Sequence, residues 1–163
     1  MSSILFVCLG NICRSPLVAA VAQQRFAQAG IAIEVDSCGA GGWHAGEGAD
    51  PRAVEVAQAA GYRLSEHRAR QLCVGDFTRF DRLLAMDGDN LAVLNRRRPA
   101  GARAAAQLFL AAGLGVDRPV PDPYEGGLDD FRAVLALAEQ GVDGLIRRLR
   151  HAPGEPDPPR ASR

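Results

Sequence analysis

Residues 8–15 read Cys-Leu-Gly-Asn-Ile-Cys-Arg-Ser, with five residues between Cys8 and Arg14. These types at this spacing can do chemistry on an anion. Gly10 and Asn11 tolerate left-handed backbone conformations, so the segment can curl until successive N–H groups point into one concavity. Leu9, Gly10, Asn11, Ile12, Cys13 and Ser15 would form that nest. Arg14 adds a full positive charge with paired donors, and a helix beginning after the loop adds the partial charge of its N-terminus. Cys8 would face all of them, which favours its thiolate. A thiolate within an oxyanion nest suits attack on phosphorus, giving a cysteinyl phosphate that water then cleaves. The alternative is a small buried thiol at a strand end; the full C-x-G-N-x-C-R-S context favours the nucleophile.

Expelling an alkoxide or phenoxide needs a proton donor on another loop at the same edge of the fold. Asp122, in Val120-Pro121-Asp122-Pro123-Tyr124, is the candidate, because flanking prolines exclude regular structure and stiffen the loop. Asp before Pro also commonly opens a turn with no catalytic duty, and the sequence leaves both readings open.

The elements that must position these loops follow from periodicity. Ile4 to Val7 is a wholly apolar run suited to a strand buried on both faces of a parallel sheet. Ser15 and Pro16 read as N-cap and first residue of a helix carrying Val18, Val21, Ala22 and Phe26 and stopping at Gly30. Ile31 to Val35 reads as the next strand, and Asp50 and Pro51 open a helix that runs to Gly61. Arg82 to Met86 is a third strand, followed by Asp89 and a helix with Leu91 and Leu94 that ends on Arg96, Arg97 and Arg98. Ala104 to Leu110 is taken as a fourth strand. Phe131, Val134, Leu135, Ala138, Val142, Leu145 and Leu149 make one apolar stripe on a final helix. The order implies an α/β fold: a three-layer sandwich with a central four-stranded parallel sheet and flavodoxin-like winding. Ligands of such sheets sit beyond the C-terminal strand edges, where the loop after the first strand lies.

Composition narrows the chemistry. The chain has 163 residues, 47% apolar and 23% charged, which suits one domain over residues 1–150. Pro153 to Arg163 is proline-rich and lacks large apolar side chains, so residues 151–163 are expected to be a disordered tail. Nineteen acidic residues balance nineteen basic ones, so no global field favours nucleic acid or a membrane surface. Every basic residue is Arg; with no Lys, Schiff-base chemistry and the lysine-dependent phosphate loop of nucleotide hydrolases are excluded. No signal peptide or membrane span is expected. Cys8, Cys13, Cys38 and Cys73 form no C-x-x-C pair, which points to reduced thiols in a cytoplasmic setting. Metal ligands at zinc spacing are missing, so no metal and no cofactor are expected.

The chain resembles the low-molecular-weight protein tyrosine phosphatases. The resemblance rests on LFVCLGNICRSP at 5–16, VDS at 35–37, GGWH at 41–44, DPRA at 50–53, HRARQL at 67–72, LAMD at 84–87 and DPYEGG at 122–127. It implies Cys8 as nucleophile, Arg14 as transition-state clamp and Asp122 as general acid and then base. It further implies that Ser15 stabilises the departing thiolate and that Asn11 holds its left-handed turn by bonding to Ser37. His67 and Asp87 would brace the loop from behind, while Leu9, Ile12, Trp43 and Tyr124 line a cleft for an aromatic ring. The implied partner is a phosphotyrosine-containing protein, a bacterial tyrosine kinase among the candidates, met by a monomer or weak dimer.

Two positions depart from the family pattern. Glu125 replaces a second Tyr at the cleft, removing an aromatic wall and adding negative charge. Ala19 stands where an acidic residue is common. An arsenate reductase of similar fold is the rival, but resembling reductases keep a resolving cysteine pair after the third strand, and Met86 to Arg98 has none. Ile12, where phosphoarginine-specific relatives have Thr, favours a phenolic ester. A non-catalytic phosphotyrosine-binding module would be expected to lose the nucleophile or the acid, and both are present. Cys13 is close enough on a curled loop to join Cys8 in a peroxide-induced disulfide, or is simply a small thiol packed under the nest.

Overall fold

The computed structural model describes residues 2–151; from residue 152 onward, the expected disordered tail lies outside the described residues. The elements are β1 (Ser3–Cys8), α1 (Arg14–Gln28), β2 (Glu34–Gly39), α2 (Pro51–Ala59), α3 (Asp76–Arg79), β3 (Arg82–Ala85), α4 (Gly88–Arg97), β4 (Ala105–Leu108), α5 (Phe109–Leu114) and α6 (Leu128–Arg150). All pairings are parallel and the strand order is β2-β1-β3-β4. This is the four-stranded, doubly wound sheet expected from the alternation of elements.

The apolar run of β1 sets the core. Ile4, Leu5, Phe6 and Val7 are fully buried, each stabilising the fold by about 1.5–3 kcal/mol relative to exposure. Alternation along the strand sends Ile4 and Phe6 to a face covered by α1, α2, α5 and α6. Leu5 and Val7 go to the opposite face with Phe77 of α3 and Leu94 of α4. Phe6 meets Phe109 edge to face with ring centroids 5.6 Å apart. Three layers result, and the stripe of α6 closes one of them through Phe131, Val134, Leu135, Ala138, Val142 and Leu145.

Several boundaries differ from the pattern-based expectation. Strand β2 is Glu34–Gly39 rather than Ile31–Val35, because pairing with β1 starts at Ser3 and Glu34. Ile31 and Ile33 are partly buried in the connection that precedes it. Helix α1 begins at Arg14, with Cys13 in the cap position and no side-chain cap bond. Ser15 is therefore not the cap, and Pro16 sits in the first turn, where an amide is dispensable. Helix α4 is capped by Asp87, which accepts from Asn90 N at 2.8 Å, and not by Asp89. Strand β4 stops at Leu108, and Phe109 and Leu110 belong to α5. The single turn α3 has too little periodicity to show in sequence. Among the described residues no helix is long and apolar enough to cross a membrane.

Candidate active site

Three connections converge at the C-terminal edge of the sheet, beside the point where strand order reverses. The first is the loop from Cys8 at the end of β1 to the start of α1. The second follows β3, where Met86 N donates to Val7 O at 2.9 Å. The third is the loop carrying Asp122, tied to the second because Val120 N donates to Met86 O at 2.7 Å. Between them lies a cavity of about 200 Å³ lined by Cys8, Leu9, Gly10, Ile12, Cys13, Arg14, Trp43, His44, Asp122 and Tyr124.

The loop holds its curl through Asn11. Asn11 has φ of 59° and is the only non-glycine with positive φ among the described residues; Gly10 does not share that conformation. Glycine is needed at residue 10 for a different reason: a Cβ there would lie 2.9 Å from His44 Cδ2. The side chain of Asn11 is fully buried and held at both ends. Its Nδ2 donates to Ser37 Oγ and Ser15 Oγ, each at 2.9 Å, and its Oδ1 accepts from Arg70 N at 3.0 Å. Its carbonyl oxygen lies 2.7 Å from His67 Nε2. These four bonds offset the cost of a left-handed residue. Arg70 is itself gripped by Asp36 of β2 and Asp76 of α3.

Cys8 is 3% exposed and its Sγ lies at the floor of the cavity. Asn11 N donates to Sγ at 3.3 Å, and Ser15 Oγ is 2.9 Å from it. Ser15 Oγ also lies 3.4 Å from the Cys38 carbonyl, to which it can donate. Burial, reinforced by nearby Asp50, pushes the Cys13 thiol up to about 12, so it stays protonated at neutral pH. All four cysteines are free, and Cys73 is the exposed one.

Arg14 is also 3% exposed, yet only one side of its fork is used by the protein. Its Nη1 donates to Asp87 Oδ2 at 2.7 Å and to Val120 O at 3.0 Å. Among the described residues Nε and Nη2 make no hydrogen bond; Asp122 Oδ2 stands 3.7 Å from Nη2, beyond bonding distance. Two parallel donors thus remain for a bound oxyanion. Asp87 serves twice, capping α4 with one oxygen and orienting Arg14 with the other.

Asp122 is about half exposed and lines the same cavity as Cys8. Its Oδ1 accepts from Tyr124 N at 3.1 Å, an Asx turn. Leu9, Trp43 and Tyr124 are exposed large apolar side chains grouped on the rim. The Trp43 ring lies over Gly41, where a Cβ would sit 1.8 Å from it. Glu125, expected at the cleft, is exposed but does not line the cavity.

A search against family profiles matches residues 3–153 to the low molecular weight phosphotyrosine protein phosphatases. The chain belongs to that family. It is 47% identical over 132 residues to the low molecular weight phosphotyrosine protein phosphatase of Schizosaccharomyces pombe, covering 78% of this chain and 84% of that one. It is 44% identical over 153 residues to the low molecular weight protein-tyrosine-phosphatase of Streptomyces coelicolor, covering 90% and 93%. Among solved structures, a protein tyrosine phosphatase from Entamoeba histolytica with Hepes in its active site superposes with a TM-score of 0.85 at 33% identity, covering 92% of this chain and 97% of that one. These relatives of the family are named as phosphatases, not arsenate reductases.

Three residues of the phosphatase site were given no site role by sequence reasoning. His44 lines the cavity, with Nδ1 2.6 Å from Glu47 Oε2; an acid three residues on was the only signal. Asp50 N donates to Ile12 O at 2.9 Å, joining the start of α2 to the Cys8 loop. Arg52 binds Asp50 through Nε at 3.0 Å and Nη2 at 2.9 Å, and this pairing holds the Asp50 carboxyl below the usual range. His44, Asp50 and Arg52 stand in the GGWH and DPRA segments, but spacing alone does not assign their contacts, the one to Ile12 being to a backbone carbonyl.

Proposed function

We propose that this chain hydrolyses phosphotyrosine in proteins through a covalent cysteinyl phosphate. The observation that carries the reading is the meeting of Cys8 Sγ, the free Nε and Nη2 of Arg14 and the carboxyl of Asp122 in one cavity beside aromatic walls.

The phosphoryl oxygens sit in the curled loop and on the open side of the Arg14 fork, where charge in the transition state is met by donors already in place. The Cys8 thiolate attacks phosphorus, an S–P bond forms and the P–O bond to the aryl group breaks. Asp122, protonated, gives its proton to the departing phenolate oxygen. The phenol leaves, and Asp122 as carboxylate takes a proton from a water that attacks the phosphorus. The S–P bond breaks, inorganic phosphate departs, and the hydroxyl of Ser15 donates to the sulfur as it regains its charge. Leu9, Ile12, Trp43 and Tyr124 surround the aromatic ring, which supports an aryl over an alkyl ester. Free thiols at all four cysteines support a cytoplasmic setting. A phosphorylated bacterial tyrosine kinase is a candidate substrate, met by a monomer or weak dimer.

The test is turnover of p-nitrophenyl phosphate in EDTA by wild type and Cys8→Ser side by side. Wild type turns over and the variant does not. Metal dependence or an active Cys8→Ser would contradict the mechanism, and thioredoxin-coupled turnover of arsenate would favour the reductase reading instead.

A further inference from the structure

The loop that carries Asp122 has no regular structure, and Pro121 and Pro123 have no N–H with which to anchor it. Val120 anchors its N-terminal side, donating to Met86 O and accepting from Arg14 Nη1, while beyond Asp122 the bonded amides are spent close by: Tyr124 N on Asp122 Oδ1, Gly126 N on Pro123 O and Gly127 N on Asp130 Oδ2. Among the described residues no N–H of residues 123–126 reaches outside this loop, so their hydrogen bonds to the rest of the fold run through their carbonyls, which need donors from elsewhere. Among the described residues, every hydrogen bond of that kind comes from Arg52. Its Nη1 donates to Gly126 O at 2.7 Å and its Nη2 to Tyr124 O at 2.9 Å.

Arg52 is itself fixed. Asp50 takes its Nε and Nη2, and its guanidinium lies 4.5 Å from the centroid of Phe131 and 5.9 Å from that of Tyr124. Asp50 N in turn holds Ile12 O. A continuous chain of hydrogen bonds thus runs from the nucleophile loop through Asp50 and Arg52 to the acid loop.

We propose that Arg52 is the positioning residue of the general acid, a strap from the first turn of α2 that sets the place of Asp122 relative to Cys8 and the leaving group. This rests on the reading of Asp122 as the acid. Arg52 does not line the cavity and touches no reacting atom, so its effect must pass through Asp122. Lys cannot replace it: a single ammonium cannot reach two carbonyls and a bidentate carboxylate while stacking on Phe131.

The test is kcat/KM across aryl phosphates, from p-nitrophenyl phosphate, whose leaving group needs little protonation, to phosphotyrosine, whose phenol has a pKa of about 10. Asp122→Asn should fall about a hundredfold or more on phosphotyrosine and far less on the nitrophenyl ester. Arg52→Gln should show the same slant at about tenfold, Arg52→Lys should follow it, and Arg52→Gln in the Asp122→Asn background should change kcat/KM by less than about twofold. Asp50→Asn keeps an acceptor for the α2 cap while loosening the strap, and should show a weaker slant; it supplies the reading if Arg52→Gln does not fold by circular dichroism. A uniform loss across leaving groups, additive effects in the double variant, or full activity in Arg52→Lys would overturn the strap alone, provided Asp122→Asn is slanted. A flat Asp122→Asn would overturn the acid assignment and the strap with it.

Discussion

His67 Nε2 lies 2.7 Å from the carbonyl oxygen of Asn11, and since a carbonyl only accepts, that nitrogen carries the proton. Burial pushes the imidazole below its ordinary value, outweighing the opposing pull of the Asn11 carbonyl and Asp36. In the native protein His67 is thus a neutral donor that fixes the left-handed residue of the Cys8 loop.

The sign of the resulting pH dependence follows from linkage. Below about pH 6.5 the unfolded chain protonates this residue while the native chain does not. The contribution of His67 is complete above that pH and is lost as pH falls through the lower native value. Urea midpoints of wild type should drop between pH 7 and pH 5 more than those of His67→Gln. Equal drops would show that the native imidazole titrates normally.

Ser15 Oγ stands 2.9 Å from Cys8 Sγ and also receives Asn11 Nδ2. Its hydroxyl matters most when sulfur is the leaving group, in the second chemical step. Ser15→Ala should therefore lower kcat by about tenfold or more while lowering kcat/KM less, and should enlarge the burst of phenol in rapid mixing. Equal loss in both parameters would place the hydroxyl in the first step instead.

Asp87 joins stability and chemistry in one carboxylate. In Asp87→Asn the side-chain oxygen can still cap α4, so the cost in stability should stay within about 1 kcal/mol. The amide nitrogen would then face the Arg14 guanidinium, donor against donor, and the fork would lose its alignment. Inhibition by inorganic phosphate should weaken by about tenfold or more, as expected for a misplaced charged donor. An unchanged inhibition constant would mean that Val120 O alone orients Arg14.

What the sequence made legible depended on distance along the chain. The Cys8 loop was readable because its chemistry needs its residues nearly adjacent, and the strand and helix around it have strong periodic signals. Asp122 could be nominated but not placed, since its partner Arg14 is more than a hundred residues away. Strand β2 was misplaced because Asp36 and Ser37 serve the loop and break the apolar run that periodicity relies on. Arg52 and His44 stand within the DPRA and GGWH segments that carry the family resemblance, but their roles could not be read there, since a carbonyl contact or an approach to Gly10 imposes no spacing on neighbouring residues. The double use of Asp87 was hidden for a similar reason: the family resemblance placed it behind the loop, and the capping role went to Asp89 two residues on.

The sharpest trial is acid quench during steady-state turnover of an aryl phosphate, followed by peptide mapping by mass spectrometry. A phosphoryl group on Cys8, absent from a turnover-deficient Cys8→Ser, is the expected result. Phosphoryl transfer to any other residue, or turnover with Cys8 unmodified, would contradict the covalent mechanism.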